Sequence, residues 1–181
     1  MRGISDKNIL DEFCISFCHV VEQFTPYIIV SGFVAISSGR TRATEDIDMI
    51  IPRITATEFK NLHEALQETF ICVQSDSAEE IYNYLSDNVS VRYTYKNEPL
   101  PEMELKFAKN RLDEYQLQTR VKLPLTGLDI WFSSVEMNIA FKEEYLKSEK
   151  DYKDAEHLRK VYDINEEEIK RIKRMISEVL L

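Results

Sequence analysis

Residues 30–51 read VSGFVAISSGRTRATEDIDMII, and this stretch decides the fold of the chain. It starts at the end of residues 27–30, a run rich in β-branched side chains that predicts a short buried strand. The small residues Ser31 and Gly32 follow and indicate a tight turn, after which an apolar segment predicts a short helix. The stretch closes on residues 47–51, which predict a second buried strand.

Two carboxylates accompany the second apolar run. Asp46 and Asp48 are two residues apart, so on a strand their side chains point to the same face, about 7 Å apart along the backbone. Carboxylates on one face repel each other and raise each other's pKa, and a divalent cation removes this penalty. Oxygen ligands of this kind suit Mg²⁺ or Mn²⁺. The alternative is a half-exposed strand with a polar face, and an Asp-Ile-Asp triplet alone does not decide between them.

The turn at Ser31 and Gly32 supports the first interpretation. A turn between a strand and a helix presents backbone N–H groups to an anion. Phosphate at this turn and a metal ion at Asp46 and Asp48 are two halves of one nucleotide site. The turn and the carboxylates are therefore interpreted together.

The composition is typical of one folded domain. Of the 181 residues, 44% are hydrophobic and 30% are charged, which is enough apolar material for a sizeable core. We expect one domain over residues 1–181, with the core at about 1–132 and C-terminal helices at about 133–181. The net charge of −9 disfavours broad binding to nucleic-acid backbones, which are contacted mainly by Lys and Arg.

The cellular location is inferred from what the sequence lacks. The three cysteines are interpreted as buried thiols in a reducing compartment. No signal peptide opens the sequence, and no apolar run approaches the roughly 20 residues that span a bilayer. We therefore expect a cytoplasmic protein that makes no membrane contact.

Beyond residue 51, helix and strand patterns alternate and then give way to helices. Capping boxes at Thr55 and Ser77 each begin a helix. Apolar patterns predict strands at 70–73, 89–95, 103–107, 118–123 and 128–132, and further helices at 5–24, 134–147, 150–161 and 165–180. The expected fold class is α/β or α+β, with a mixed sheet flanked by helices and a helical C-terminal part.

The ordered segment after residue 30 resembles the polymerase-β-like nucleotidyltransferase superfamily. Within it, the match is to small stand-alone prokaryotic nucleotidyltransferases related to abortive-infection toxins, which carry a strand, a Gly-Gly or Gly-Ser turn and a Gly-Arg-x-Arg-x-Thr-x-Asp-x-Asp segment. Here that segment is GRTRATEDID, at residues 39–48. The C-terminal part also resembles the family, through SVE at 134–136, IAFK at 139–142 and SEKDYKDAEHL at 148–158. One departure is Ser31, which is less free in its backbone than glycine.

The resemblance implies a third acid on a neighbouring strand. Residues 101–107, PEMELKF, offer one, because their alternation places three charged side chains on one face and apolar side chains on the other. We choose Glu104, which two apolar residues flank. Asp129, which also lies inside an apolar run, is the competing candidate.

Cations and further acids complete the predicted nucleotide-binding set. Arg40 and Arg42 precede the aspartates and are predicted to hold triphosphate bidentately, with a solvated loop as the alternative. Lys142 is either a charge that faces phosphate or a surface lysine that snorkels. Asp151 and Asp154 share a helix face and either orient Lys142 or Arg40 or are helix N-terminal acids favoured by the dipole. The predicted nucleotide-binding residues are Ser31, Gly32, Arg40, Arg42, Lys142 and Asp151.

The function implied by the resemblance is metal-dependent nucleotidyl transfer. A nucleoside monophosphate moves from an NTP to an acceptor hydroxyl on RNA, protein or a small molecule, and pyrophosphate is released. The expected catalytic and metal-binding residues are Asp46, Asp48 and Glu104, with Mg²⁺ or Mn²⁺ as cofactor. The alternative is a catalytically silent nucleotide-binding member of a paired toxin–antitoxin or defence system, with a small helix-turn-helix protein as its candidate partner. A third interpretation is a structural α/β domain with an accidental Asp-Ile-Asp triplet.

Overall fold

A five-stranded sheet forms the centre of the computed structural model, which describes residues 8–40 and 46–180. The strands are β1 (Ile28–Val30), β2 (Asp46–Ile51), β3 (Phe70–Cys72), β4 (Val91–Tyr95) and β5 (Glu102–Phe107). The helices are α1 (Ile9–Glu22), α2 (Gly32–Ser37), α3 (Ala56–Leu66), α4 (Ala78–Ser86), α5 (Arg111–Gln118), α6 (Val135–Phe141), α7 (Glu149–Val161) and α8 (Glu166–Leu180). Arg42, one of the predicted phosphate ligands, lies outside the described residues.

The sheet is mixed, as predicted. Its strand order is β1-β2-β5-β4-β3, and β2 and β5 run parallel while the other pairs are antiparallel. The parallel pair requires a long crossover, which here contains α3, β3, α4 and β4. Within the described ranges, no helix has the length and apolar character needed to cross a membrane.

The two faces of the sheet are covered unequally. One face packs into the main core, which includes side chains of α1, α3 and α4 and the alternate apolar residues of the central strands, namely Ile47, Met49, Ile51, Met103, Leu105 and Phe107. The other face carries a small apolar cluster made of Ile28, Val30, Ile50 and Ala108. Each buried aliphatic side chain contributes roughly 1.5–3 kcal/mol on burial. This packing holds β2 in place although its acidic residues emerge on the less covered face.

Two predicted strands are wrong. Residues 118–123 and 128–132 contribute only isolated bridges, in which Phe132 pairs with Val121 and with Ile29. The segment just before them forms α5, which the apolar pattern did not predict. Its first turn is stabilised by Asn110, whose side chain accepts a hydrogen bond from the N–H of Asp113 at 3.0 Å.

The predicted helix at 134–147 changes its winding part of the way along. After α6, residues Lys142–Leu146 form a π-helical turn, which ends at Lys147 in the left-handed region with φ 58°. The N–H of Lys147 donates to the carbonyl of Lys142 at 2.9 Å, five residues back. Single π-turns occur frequently at functional sites.

Candidate active site

The acidic residues of β2 and β5 lie side by side. In the parallel register, Asp46 pairs with Glu102 and Asp48 pairs with Glu104. Side chains at matching positions of paired strands share a face, so the four carboxyl groups form a row on the less covered face of the sheet. The structure therefore brings Glu104 to the aspartates.

Two carboxyl groups of this row, those of Asp48 and Glu102, have raised pKa values. Burial is the largest cause that raises the pKa of Asp48 to about 6, and the charge of Glu104 is the next, while Lys106 acts in the opposite direction. The pKa of Glu102 is also raised, chiefly by burial, against the opposing effect of Arg92. Asp48 and Glu104 are thus held together at an electrostatic cost, which is the situation that a bound divalent cation relieves.

The donor set suits Mg²⁺ or Mn²⁺ without forming a complete cage. Among residues 8–40 and 46–180, no three or more His, Cys, Asp or Glu side chains are gathered closely enough to hold a metal ion. Mg²⁺ commonly binds through one or two carboxylates together with waters and substrate phosphates. The carboxylates of Asp48 and Glu104 fit that requirement. Glu104 is further fixed by Ser90, whose Oγ donates to Glu104 Oε1 at 2.6 Å.

Asp129, the competing third acid, lies elsewhere. Its side chain is 83% exposed and forms an ion pair with Lys122 at 2.6 Å. The hydrogen bond from Lys122 and the charge of that lysine lower the pKa of Asp129. Asp129 is therefore a solvent-facing acid with its own cation.

The turn after β1 has an unusual backbone. Ser31 has φ 69° and ψ −145°, a conformation that L residues rarely adopt and that costs roughly 1–3 kcal/mol. The residue before it, Val30, is in register with Asp48, so the turn emerges next to the aspartate. The position at which the family carries glycine is thus one where positive φ is needed, and a serine occupies it.

Lys142 and Arg40 are joined by one carboxylate. Lys142 is only 1% exposed, and its Nζ donates to Asp154 Oδ2 at 3.1 Å and lies 3.7 Å from Asp151 Oδ1. The other oxygen of the fully buried Asp154 lies 3.3 Å from Arg40 Nε. Lys142 is therefore not a snorkelling surface lysine, and Asp154 orients both cations. An ammonium has three donor hydrogens, so two carboxylates do not exhaust those of Lys142.

A cavity of about 260 Å³ brings part of the predicted site together. Asp48 of β2 and Ser31 of the turn after β1 line it, and Lys142 lines it from the π-turn. Residues of α5, α6 and the end of α8 close the remaining walls. Among the predicted residues that the structure describes, those that do not line this cavity are Gly32, Arg40, Asp46, Glu104 and Asp151.

Solved structures of other proteins have a similar fold. An antigenic nucleotidyltransferase-like protein from Paracoccidioides brasiliensis matches with a TM-score of 0.56 and 16% identity, over 92% of this chain and 86% of its own. The antibiotic-resistance factor ANT(2'')-Ia matches with a TM-score of 0.52 and 12% identity, over 93% of both chains. JHP933 from Helicobacter pylori matches with a TM-score of 0.51 and 16% identity, over 93% of this chain and 73% of its own.

The chain has the nucleotidyltransferase fold. No family model matches the sequence, and none of the curated protein sequences is significantly similar to it. The fold was predicted from the segment at residues 30–51 and is confirmed by the solved structures.

Two features of this nucleotidyltransferase fold were missed by sequence reasoning. Ser90 was not considered as the partner of Glu104, and only the antiparallel pairing of β4 with β5 brings it there. The α5 wall of the cavity was also missed, although Asn110 followed three residues later by Asp113 is a helix-start signal. The roles of the predicted site residues stay predictions.

Proposed function

We propose that this protein is a metal-dependent nucleotidyltransferase, which moves a nucleoside monophosphate from an NTP to an acceptor hydroxyl and releases pyrophosphate. The observation that carries the proposal is that Asp48 and Lys142 line one cavity, Asp48 from β2 and Lys142 from the π-turn. A nucleoside triphosphate requires both kinds of group, a cation for its phosphate oxygens and carboxylates for the metal that accompanies it. The nucleotidyltransferase fold supports the same assignment.

The carboxylate row is the proposed metal and catalytic site. Asp48 and Glu104, with Asp46 next to them in the row, would hold Mg²⁺ or Mn²⁺ together with substrate phosphates and water. The bound ion would supply positive charge for the carboxylates and the reacting phosphate. Glu104 is proposed to accept the proton of the attacking hydroxyl, because its carboxylate is fixed by Ser90 at the edge of the row.

The cations and the turn are the proposed phosphate site. Lys142 contacts phosphate with its remaining donor hydrogen, in an orientation set by Asp151 and Asp154. Arg40, oriented by Asp154, binds from the side of α7. Ser31, with Gly32 and Arg42, is proposed to complete the set through backbone and side-chain donors. Burial of Lys142 removes it from competing water, which strengthens its attraction for a phosphate oxygen.

The decisive experiment is transfer of label from each α-labelled NTP with Mg²⁺ or Mn²⁺, offered total RNA, total protein and small hydroxyl compounds as acceptors. We expect one NTP to label one acceptor class, with stoichiometric release of pyrophosphate. The Asp48→Asn variant is expected to lose transfer, and Asp129→Asn is the matched control because Asp129 is an exposed acid outside the row.

Two results would contradict the proposal. If no NTP binds, the cavity is not a nucleotide site and the proposal is wrong. NTP binding without transfer to any acceptor would instead support a catalytically silent member of a paired toxin–antitoxin or defence system, whose small helix-turn-helix partner is then the protein to co-purify.

A further inference from the structure

We propose that the part of the cavity away from the sheet is the nucleobase subsite, with Tyr145 and Phe141 as the stacking surface. This inference rests on the proposed function, since it takes the ligand to be a nucleoside triphosphate. The carboxylate row and Lys142 account for the phosphate end of such a ligand. They leave the base and the sugar without assigned contacts.

The lining that α6 and the π-turn contribute includes two aromatic rings, those of Phe141 and Tyr145. The two rings contact each other, with centroids 5.0 Å apart and planes inclined by 40°. The apolar side chains that line the cavity around them are Leu112, Met137, Leu146 and Leu180. Aromatic faces are the groups on which nucleobases stack, and the contact tolerates every base because each base has a π-face. The wall therefore has the chemistry of a base site rather than of a second phosphate site.

The π-turn leaves these side chains open to a ligand. Tyr145 is 49% exposed and Leu146 is 40% exposed, although both line the cavity. The wider turn ends at Lys147, whose left-handed backbone stops the helix directly after the two residues. Large apolar side chains exposed at the rim of a cavity mark a ligand-binding groove.

A polar group stands beside the apolar wall. Gln116 of α5 lines the cavity and is only 7% exposed, and its Nε2 donates to Asp113 Oδ1 at 3.4 Å. Within the described residues this is the one side-chain hydrogen bond of its amide, so Oε1 is left to accept from a ligand. Asp113 is itself held by the backbone N–H of Lys109 at 2.9 Å. Gln116 is thus available to contact the polar edge of a base. Such a contact would distinguish one base from another, which stacking alone does not do.

The cavity volume agrees with a nucleoside. At about 260 Å³ it is slightly below the roughly 300–1,000 Å³ of pockets that enclose a whole drug-sized ligand. A base with its sugar is therefore proposed to occupy the part lined by Phe141 and Tyr145, and the triphosphate to lie along Ser31, Asp48 and Lys142, which line the same cavity. One ligand then contacts both walls at once.

The test measures binding and does not require an acceptor. Each of the four NTPs, as an α,β-methylene analogue with Mg²⁺, is titrated into wild type and Tyr145→Ala, and inorganic triphosphate is the probe that lacks a base. We expect Tyr145→Ala to weaken the preferred nucleotide by about tenfold, the scale of one lost base stack. Its affinity for inorganic triphosphate should change less than twofold.

Three further variants make the result specific. Tyr152→Ala is the matched control, because Tyr152 is 48% exposed but does not line the cavity, and it should bind like wild type. Tyr145→Phe should retain affinity within about twofold, and Gln116→Met should change the order of preference among the four nucleotides. Equal nucleotide affinity in Tyr145→Ala and wild type would overturn the base subsite alone. Absence of nucleotide binding in wild type would overturn the proposed function as well.

Discussion

Asp48 and Glu104 are paired in register on two parallel strands, and the charge of Glu104 helps to raise the pKa of Asp48. Residues far apart in sequence thereby share one electrostatic environment. A purely structural sheet gains nothing from such a pair, because like charges in register are destabilising. The electrostatic repulsion between the two carboxylates should therefore lower the free energy of unfolding, and this effect can be measured without any ligand.

The first prediction is a pH dependence of stability. The pKa of Asp48 in the folded protein, about 6, lies above its ordinary value of 3.8, so the folded chain binds the proton more tightly than the unfolded chain. The free energy of unfolding therefore falls as the pH rises from about 4 to about 6. In buffer with EDTA, Asp48→Asn should be more stable than wild type by about 1–3 kcal/mol at pH 7.5, and the difference should shrink at pH 4.5.

Urea denaturation at the two pH values measures this difference. Asp129→Asn is the control and should show no gain at pH 7.5, because the pKa of Asp129 is lowered by Lys122. A destabilised Asp48→Asn variant at both pH values would show that its carboxylate is satisfied in the native state.

The second prediction separates chemistry from binding at the third acid. Glu104→Gln should leave nucleotide affinity within a few-fold and cut transfer by about 10²-fold or more, the scale of a lost general base. Asp129→Asn should retain nearly full transfer, because its exposed side chain is paired with Lys122. Both variants are compared in one transfer assay. If Glu104→Gln is active and Asp129→Asn is inactive, the third acid of the site is Asp129 and not Glu104.

The third prediction concerns the backbone at Ser31. Glycine normally destabilises a protein relative to alanine, by roughly 0.5–1 kcal/mol in regular structure. At φ 69° and ψ −145° the order should be reversed, so Ser31→Gly should be more stable than Ser31→Ala by about 1 kcal/mol or more. Thermal and urea unfolding of the two variants measure the difference. If the Ser31→Ala variant is as stable as Ser31→Gly, or more stable, the turn has another conformation.

The fourth prediction concerns the carboxylate that joins two cations. Asp154→Asn leaves Lys142 and Arg40 with one counter-charge fewer in a buried place. Removal of one partner from a buried ion pair costs roughly 3–5 kcal/mol, so the variant should lose stability in urea denaturation and lose nucleotide binding. Glu149→Gln is the control from the same helix, because its ion pair with Lys153 is exposed, and its stability should be nearly unchanged. A stable, nucleotide-binding Asp154→Asn would contradict the orienting role.

The central strands and their acids could be predicted because alternation with a period of two indicates both that a segment is a strand and which side chains share a face. The pattern that buries Met103 and Leu105 also places Glu104 on the opposite face. The resemblance to the nucleotidyltransferase superfamily, rather than the local pattern, favoured this acid over Asp129, which also lies inside an apolar run. The strand predictions near Val121 and Phe132 failed for a related reason. Both are partly or fully buried and meet each other through backbone hydrogen bonds of 2.8 Å, but neighbouring residues have no strand to pair with.

The cavity could not be predicted, since it depends on packing rather than on local pattern. Its walls come from the sheet, α5, α6, the π-turn and the last residue of α8, and no spacing in the sequence relates Leu112 to Leu180. The link between Lys142 and Asp154 was one of several open alternatives, and only the closeness of the π-turn to α7 selects it. A helical period gives no sign of where the winding changes from α to π.

The parallel pairing of β2 with β5 also determines when, during synthesis of the chain, the acidic residues of the two strands can come together. The whole segment of α3, β3, α4 and β4 lies between the two strands, so Asp48 emerges from the ribosome long before Glu104. Non-local pairing of this kind forms slowly, because the intervening chain must first be ordered. A nascent or cleaved chain that ends before β5 therefore carries half of the acidic row and an unpaired edge on β2. The four carboxyl groups come together only after β5 has paired with β2, so an incomplete chain carries an incomplete row.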